Sequence, residues 1–307
     1  MNQEYDVIIV GGGPAGMTAA IYAKRAALST LVIEKQPFCG GQVLNTYEVD
    51  NYPGLPGIDG YSLSEKFQGH AKNLEAEFYT GEMKKLLDEG EKKTIILSSE
   101  EKFSAKGIIL ALGAVHRKAG VPGEVEFTGK GVSYCATCDG AFYRNKICAV
   151  IGGGDVALED AIFLARVCKK VYVIHRRDEF RGAKILQQKL LSLENVEILW
   201  DSVIEEIKGD GVVTGARIKN VKTDEKKELA LDGVFVAIGT VPDTKALEGV
   251  LDLDEKGYIK AGEDGATSMP GVFCGGDCRT KQLRQIVTSA ADGANCVFSL
   301  EQYLTTL

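Results

Sequence analysis

The sequence has 307 residues, 45% of them hydrophobic and 26% charged, with a formal net charge of −7. This is the composition of a globular protein rather than a disordered one, and the acidic balance without a long basic run argues against a nucleic-acid-binding surface. The length is large for a single hydrophobic core and suits two domains.

The start of the chain carries no signal for secretion. Residues 1–6 are polar and acidic and a strand-like run follows at once, without the basic region and cleavage site of a signal peptide. No apolar stretch approaches the roughly 20 residues that span a bilayer. We therefore expect a cytoplasmic protein, in which the eight cysteines do not form a structural disulfide framework.

The first nucleotide-binding pattern lies at the N-terminus. An apolar strand, Tyr5 to Val10, runs directly into Gly11-Gly12-Gly13-Pro14-Ala15-Gly16, and an alanine-rich helix to about Ala27 follows. The next strand, Ser29 to Ile33, ends in Glu34. In such a β-α-β unit the glycines allow a tight turn, close approach of a pyrophosphate, and packing of helix on strand. The acid can bind a free ribose, so the pattern predicts a nucleotide such as FAD.

Two strand-to-glycine transitions mark candidate domain crossings. A strand at 106–112 runs into Gly113, and a strand at 233–238 runs into Gly239. Glycine and proline at both exits favour linkers near 113–118 and 239–245. We therefore predict a discontinuous FAD-binding domain at residues 1–115 with 244–307, and a second domain inserted into it at residues 116–243.

Two cysteines lie two residues apart in Cys135-Ala136-Thr137-Cys138-Asp139, within the predicted insertion. Two thiols at this spacing can close a small disulfide ring, one of them nucleophilic and the other resolving. They could equally form half of a zinc site. That site would need a second close pair of ligands, for which Cys274 with Cys278 is the only candidate, and we expect no metal.

A second β-α-β unit follows the cysteine pair. A strand from Lys146 to Ile151 leads into Gly152-Gly153-Gly154-Asp155-Val156-Ala157, then into a helix and a strand from Val171 to Ile174. This second strand ends in His175-Arg176-Arg177, with Arg181 a turn later, rather than in an acid. An acid would repel a 2′-phosphate, whereas guanidinium groups can bind one bidentately. The second unit is therefore predicted to bind NADPH.

The position of the dithiol between two nucleotide-binding units indicates an electron path from pyridine nucleotide through flavin to a disulfide. The sequence thus predicts an oxidoreductase of the disulfide reductase class. Alternatives are a flavin reductase of the same fold that serves a different acceptor, such as a thioredoxin-like carrier or a peroxiredoxin system, a ferredoxin-dependent reductase, and a flavin-binding redox sensor without turnover.

With these motifs and the returning Gly276-Asp277, the chain resembles the low-molecular-weight thioredoxin reductase family over essentially its whole length. The resemblance implies an α/β fold of two Rossmann-like three-layer domains, a homodimer, and thioredoxin as partner. In that family the second cysteine, here Cys138, receives electrons from the flavin. The first, here Cys135, attacks the partner disulfide, and Asp139 handles the proton.

The resemblance also implies the cofactor contacts. Those for FAD are Gly11, Gly13, Pro14, Ala15, Gly16, Glu34, Lys35, Gly40, Gly41, Gln42, Asn51, Gly113, Asp277, Arg284, Gln285 and Ile286. Those for NADPH are Gly152, Gly154, Asp155, Val156, Ala157, His175, Arg176, Arg177, Arg181, Ile238 and Gly239.

The family mechanism further implies that the inserted domain rotates on its two linkers. Phe142-Tyr143-Arg144 resembles the segment on which thioredoxin docks, and Lys130 stands where a basic contact is expected. Val156 departs from the family pattern, in which Ser or Thr is common, and removes one phosphate hydrogen bond. Cys39, Cys274 and Cys278 are expected to be small buried residues.

Overall fold

A computed structural model describes residues 4–46, 49 and 51–307 of the chain, and the side chains of residues 45, 137 and 138 lie outside that description. The chain divides into two compact units. Met1–Val115 and Val241–Leu307 form the first unit, and His116–Thr240 form the second. The second unit is therefore inserted into the first, with its end three residues before the boundary expected from the sequence.

The first part of the chain contains β1 (Glu4–Val10), α1 (Pro14–Arg25), β2 (Thr30–Glu34), α2 (Gly60–Asn73), β3 (Glu77–Thr80), β4 (Met83–Glu89), β5 (Lys92–Leu97), β6 (Lys102–Leu110) and β7 (Ala114–His116). The middle part contains β8 (Val132–Ser133), α3 (Ala136–Asp139), β9 (Ile147–Ile151), α4 (Asp155–Ala165), β10 (Lys170–Ile174), α5 (Lys184–Leu191), β11 (Val196–Leu199), β12 (Ser202–Asp210), β13 (Val212–Asn220), β14 (Lys226–Ala230), β15 (Gly233–Val236) and β16 (Thr240–Pro242). The last part contains β17 (Val272–Cys274) and α6 (Ile286–Leu304).

The first unit is built on a mixed sheet. Its described strands run in the order β3-β2-β1-β6-β5-β4, with β17 also paired to β6. The strands β3, β2, β1, β6 and β17 are parallel, whereas β5 and β4 are antiparallel. Because Val10 pairs with both Ile33 and Leu110, and Leu110 with Cys274, four parallel strands end at one edge of the sheet.

Both faces of this sheet are covered, which explains the continuous apolar run in β1. Ile8 and Val10 belong to one buried cluster, and Val7 and Ile9 belong to another on the opposite face. Strands buried on both faces lose the alternation of polar and apolar residues that half-exposed strands show. Each fully buried aliphatic side chain contributes about 1.5–3 kcal/mol to stability, so this sheet is the rigid base of the first unit.

The second unit repeats this plan on a smaller scale. Its main sheet has the order β11-β10-β9-β15-β8, and all of these pairings are parallel. Helix residues such as Leu158 and Ala161 pack against Val150 and Val173 on one face. The antiparallel sheet β12-β13-β14 lies in the cluster on the other face, so the unit has three layers.

The two crossings between the units pair with each other. The strands β7 and β16, which contain the unit boundaries, form a two-stranded ribbon. The amide of Arg117 donates to the carbonyl of Gly239 at 2.9 Å, and the amide of Asp243 donates to the carbonyl of Gly113 at 3.4 Å. The inserted unit therefore begins and ends at neighbouring points.

The helix α1 ends at Arg25, two residues before the predicted end, because Ala27 adopts a left-handed conformation with φ of 59°.

Over the part of the chain that the structure describes, no helix combines the length and apolar character needed to cross a lipid bilayer.

Candidate active site

The first glycine-rich turn is closed on one side and open on the other. A Cβ atom added to Gly11 would lie 2.2 Å from the carbonyl oxygen of Ala111, and one added to Gly16 would lie 1.8 Å from that of Gly11. A Cβ atom at Gly13 would have no neighbour within 4 Å. Gly11 also has φ of 108°, which favours glycine. The turn thus leaves free space at Gly13, beside the N-terminus of α1, where a pyrophosphate fits.

Glu34 is held at the end of β2 by backbone amides. Its Oε2 atom accepts a hydrogen bond from the amide of Gly12 at 2.6 Å, and its Oε1 atom accepts one from Gln36 at 2.9 Å. The carboxylate is therefore fixed beside the glycine turn, with lone pairs left for a ribose. The neighbouring Lys35 forms an exposed ion pair with Asp243.

A second glycine loop lies against this turn. The amide of Gly40 donates to the carbonyl of Gly12 at 2.8 Å, and a Cβ atom at Gly41 would lie 3.6 Å from the Cα atom of Gly13. Gln42 donates from Nε2 to the carbonyl of Ala114 at 3.0 Å. Thus the loop of Gly41 and Gln42 lies beside Gly13, 28 residues earlier in the sequence.

The segment after β17 adds the remaining predicted flavin contacts. The Oδ1 atom of Asp277 accepts from Ser289 Oγ at 2.9 Å, and burial raises the pKa of Asp277. The guanidinium of Arg284 lies 4.0 Å from the ring centre of Tyr258. Gln285 is the N-cap of α6 and accepts from Asn51 Nδ2 at 3.0 Å. Arg284 therefore precedes the helix α6, which begins at Ile286.

A buried charge cluster supports this segment. The carboxylate of Asp292 accepts from the amide of Gly276 at 2.8 Å, from Arg279 Nη2 at 2.6 Å and Nε at 3.0 Å, and from Lys281 Nζ at 2.7 Å. Burial alone would raise the pKa of Asp292, but the hydrogen bonds from Arg279 and Lys281 outweigh it and lower the pKa. The sequence analysis did not predict this cluster. The acidic Asp292 among the small and apolar residues of α6 could have indicated a buried ion pair.

The second glycine turn repeats the geometry of the first. A Cβ atom at Gly152 would lie 2.2 Å from the carbonyl oxygen of Ala237, whereas one at Gly154 would have no neighbour within 4 Å. The helix α4 starts with Gly154 as its N-cap. Asp155 and Val156, in its first turn, are exposed. Ala157 is fully buried, consistent with close packing of helix on strand at the third position of the fingerprint.

His175 is a structural residue of this turn. Its ring is 5% exposed and leaves no room for a side chain at Gly153, where a Cβ atom would lie 2.3 Å from the ring. Its Nε2 atom is 3.0 Å from the carbonyl oxygen of Glu179, and burial lowers its pKa. The ring therefore shapes the loop that follows, which spans residues 176–183 and is called the arginine loop below.

The arginine loop presents positive charge to solvent. Arg176, Arg177 and Arg181 are exposed, and none forms a side-chain hydrogen bond or ion pair with a residue that the structure describes. The nearest acid in sequence, Asp178, is paired with Lys222 at 2.9 Å. The guanidinium groups thus remain available for a phosphate. At the end of the unit, Ile238 packs at its core and Gly239 has φ of 95°.

Cys135 is disulfide-bonded, and the side chain of Cys138 lies outside the described residues. The other six cysteines carry free, buried thiols. Among these, the sulfurs of Cys274 and Cys278 lie 3.5 Å apart. The amide of Cys135 donates to Ser133 Oγ at 3.0 Å, and the amide of Asp139 donates to the carbonyl of Cys135 at 3.2 Å.

The cysteine segment lies at the same sheet edge as the second glycine turn. Ser133 is level with Phe235, which is level with Val150. Cys135 and Gly152 each lie two residues beyond these positions, and their strands are separated only by β15. Adjacent strands are about 4.8 Å apart, so the disulfide and the turn are near neighbours at the carboxyl edge, where ligands bind in open α/β sheets.

Glu124 is a further support that the sequence did not reveal. Its buried carboxylate accepts from the amides of Ala119 and Gly120 at 2.8 and 2.7 Å and from the Tyr134 hydroxyl at 2.8 Å. Burial, together with this hydrogen bond, raises the pKa of Tyr134 to about 12. Glu124 thus anchors the residue directly before Cys135.

The expected docking residues are only partly on the surface. Phe142 is 74% exposed, and Lys130 and Arg144 are exposed. Tyr143 is 9% exposed and packs edge-on against Phe235 with ring centres 5.1 Å apart. Tyr143 therefore belongs to the core. It ends the short helical turn Gly140–Tyr143 on the side that faces Phe235.

Two nucleotide-binding turns and a disulfide define a class of enzyme, and comparison with known proteins identifies it. The chain matches the family model of pyridine nucleotide-disulphide oxidoreductases over residues 5–293. It belongs to that family.

Curated relatives narrow the class further. The chain is 46% identical to a thioredoxin reductase of Listeria monocytogenes, covering 99% of this chain and 95% of the relative. It is 45% identical to a thioredoxin reductase of Bacillus subtilis, covering 100% and 98%. The crystal structure of Lactococcus lactis thioredoxin reductase superposes with a TM-score of 0.96 at 43% identity, covering 99% of this chain and 100% of that one. The resemblance and the fold class predicted from the sequence are confirmed.

Proposed function

We propose that the protein is a thioredoxin-disulfide reductase that uses NADPH, FAD and the Cys135–Cys138 pair. The overall reaction converts NADPH, a proton and oxidised thioredoxin into NADP⁺ and thioredoxin with two thiols. The observation that carries this proposal is the similarity to thioredoxin reductases at 44–46% identity over at least 99% of the chain.

The residues of each unit fit their nucleotide. In the first unit, the open space at Gly13, the fixed carboxylate of Glu34 and the loop at Gly41 match the parts of FAD that the fingerprint predicts. In the second, the space at Gly154 and the exposed guanidinium groups of the arginine loop suit NADPH, with its 2′-phosphate. Bound FAD would supply the two-electron relay between nicotinamide and disulfide that amino-acid side chains do not provide.

The cysteine pair carries the electrons to the partner. Breaking its S–S bond takes two electrons and, when both sulfurs become thiols, two protons. Cys138 is the sulfur proposed to receive the electrons, and Cys135 is proposed to attack the thioredoxin disulfide through a mixed disulfide, as thiol–disulfide exchange requires. Asp139, whose amide is tied to the carbonyl of Cys135, is proposed to hold the proton for this exchange.

The remaining parts of the proposal concern partners. We place thioredoxin at the exposed Phe142 with Lys130, and we propose a homodimer located in the cytoplasm. The other six cysteines carry buried thiols and are given no part in this proposal.

Anaerobic titration of the yellow holoprotein tests donor, flavin and acceptor together. NADPH should bleach the flavin at stoichiometric amounts and NADH should need a large excess, and oxidised thioredoxin should then restore the colour. In the Cys138→Ser variant, we expect unchanged FAD content and unchanged bleaching by NADPH, because reduction of the flavin does not use the thiols.

The same variant should have no thioredoxin reductase activity in a steady-state assay. The matched control is Cys296→Ser, which changes a free buried thiol and should retain thioredoxin reduction if it folds. Full activity in the Cys138→Ser enzyme would show that the electron path does not pass through this pair.

A further inference from the structure

The arginine loop is fastened to the glycine turn of the second unit by three backbone amides. The amides of Arg181 and Gly182 both donate to the carbonyl of Gly153, at 2.8 and 3.2 Å. The amide of Ala183 donates to the Oδ1 atom of Asp155 at 2.6 Å. The sequence assigned Asp155 to the cofactor, but its carboxylate is bonded to the loop that carries the arginines.

Close packing reinforces this junction. A Cβ atom at Gly182 would lie 2.5 Å from Leu158 Cδ1 and 3.2 Å from both the amide nitrogen and the Oδ1 atom of Asp155. The loop therefore lies directly on the first turn of α4. Because Arg181 immediately precedes this contact, a shift of Gly182 or Ala183 moves its backbone.

We propose that Asp155 is a positioning residue for donor specificity. Its carboxylate holds the arginine loop at the glycine turn, so that guanidinium groups meet the 2′-phosphate of NADPH while the turn binds the pyrophosphate. This inference rests on the proposed function and deepens it, since it assigns selectivity between NADPH and NADH to a residue that does not itself bear the positive charge.

Asp155 can affect NADP⁺ binding in two opposite ways, through its negative charge and through its hydrogen bond to the arginine loop. A carboxylate beside phosphate groups repels them, so removal of the charge alone should strengthen binding of NADP⁺. Loss of the hydrogen bond to Ala183 should instead release the loop and weaken the binding of NADP⁺. This loss should change the affinity for NAD⁺ little, because NAD⁺ lacks the 2′-phosphate.

The test compares Asp155→Ala with Asp155→Asn in the holoenzyme, using dissociation constants for NADP⁺ and NAD⁺ from calorimetry. In Asp155→Ala we expect the constant for NADP⁺ to rise roughly three- to tenfold, because part of a charge-assisted contact is lost, and that for NAD⁺ to change by less than about twofold. Asp155→Asn keeps an oxygen acceptor for Ala183 but loses the charge, so it should bind both dinucleotides as tightly as the wild type or more tightly.

Two further variants complete the experiment. Gly182→Ala, which pushes the loop away from α4, should reproduce the selective loss of NADP⁺ binding. Asp224→Ala removes an exposed acid that forms an ion pair with Lys219, outside the arginine loop, and should change neither constant. The proposal is overturned if Asp155→Ala binds NADP⁺ as tightly as the wild type or more tightly, or loses both dinucleotides equally.

Failure of the proposed function would look different. A wild-type holoenzyme that binds NAD⁺ as well as NADP⁺, or that does not reduce thioredoxin, would contradict the proposed function before any variant is compared. A wild type that prefers NADP⁺, together with an Asp155→Ala variant that keeps the preference, would contradict only the role of Asp155.

Discussion

Single residues hold the site through contacts that are distant in sequence. Glu34 binds Gly12 across a separation of 22 residues, and Asp292 binds Gly276 across 16. Each contact fixes a backbone turn that faces a predicted cofactor position. Carboxylates that accept hydrogen bonds from backbone amides thus fix the geometry of the site, and the glycines leave space for the cofactor.

Replacing Arg176 and Arg177 together by Ala should raise the KM for NADPH at least tenfold, since each charge-assisted phosphate contact contributes about 1.5–3 kcal/mol. The KM for NADH should change little, because NADH has no 2′-phosphate. Steady-state assays with both donors measure this. Asp224→Ala, which changes an exposed acid outside the arginine loop, is the control and should change neither KM. An equal loss for both donors in the arginine variant would mean that the loop has only a structural role.

Asp292→Asn should destabilise the protein by about 3–5 kcal/mol, because it removes the carboxylate charge that pairs with buried Arg279 and Lys281. Chemical unfolding at neutral pH measures the free energy. Asp224→Asn, whose side chain is 79% exposed, should cost less than about 1 kcal/mol. A similar small cost for Asp292→Asn would contradict the role given to the cluster.

The difference in the free energy of unfolding between the wild type and Asp292→Asn should depend on pH, because the pKa of Asp292 is lowered in the folded protein. A carboxylate with a lower pKa in the folded than in the unfolded state contributes its full stability above the unfolded value of about 3.9. The contribution is lost as the pH falls through the folded pKa. The gap between wild type and Asp292→Asn should therefore be constant near neutrality and shrink in strong acid.

At the scale of elements, both fingerprints could be predicted because their information is local. A strand, a glycine turn, a helix and the residue after the next strand occupy consecutive positions, so Glu34 and the pair Arg176-Arg177 could be assigned directly. The cluster around Asp292 and the support by Glu124 could not, because they depend on which helix faces which loop. Nor could the end of α1 at Arg25, since nothing in the sequence marks Ala27 for a left-handed conformation.

The glycines of the first turn provide a prediction that distinguishes packing from binding. Gly16→Ala should impair folding, because its Cβ atom would lie 1.8 Å from the carbonyl oxygen of Gly11. Gly13→Ala meets no protein atom within 4 Å, so the fold should persist while FAD binding weakens by roughly tenfold or more, through loss of space for the pyrophosphate.

Melting temperature and FAD content after purification measure the two effects separately. Gly69→Ala, on α2 with open space around it, is the control and should change neither. A Gly13→Ala protein with normal FAD affinity would show that the cofactor does not occupy the open side of the turn.

At the scale of the whole molecule, the insertion of one unit into the other is the feature that the family mechanism needs. The assignment of FAD and NADPH to the two units and the rotation of the inserted unit are predictions from the fingerprints and the resemblance. In the proposed mechanism thioredoxin reaches Cys135 and the flavin reaches Cys138, and one fixed arrangement can hardly serve both. Short crossings such as β7 and β16 are suitable hinges.

A short reversible cross-link between engineered surface cysteines on the two units should therefore stop multiple turnover. A single electron-transfer step should survive in whichever arrangement is trapped. Stopped-flow spectroscopy before and after reduction of the cross-link measures both rates. The control is a cross-link within the second unit, which should leave turnover unchanged. Full steady-state activity in the cross-linked enzyme would rule out the rotation.

The ribbon of β7 and β16 has a consequence for the history and the engineering of the chain. Because Arg117 and Gly239 are joined by one hydrogen bond, a stretch of more than a hundred residues begins and ends at structurally one place in the chain of the first unit. Such a stretch can be gained, lost or exchanged as a cassette without a change in the path of the host chain. In a protein made of the first unit alone, a short turn at this point would join its two segments. The same point can accept a nucleotide-binding module of different specificity.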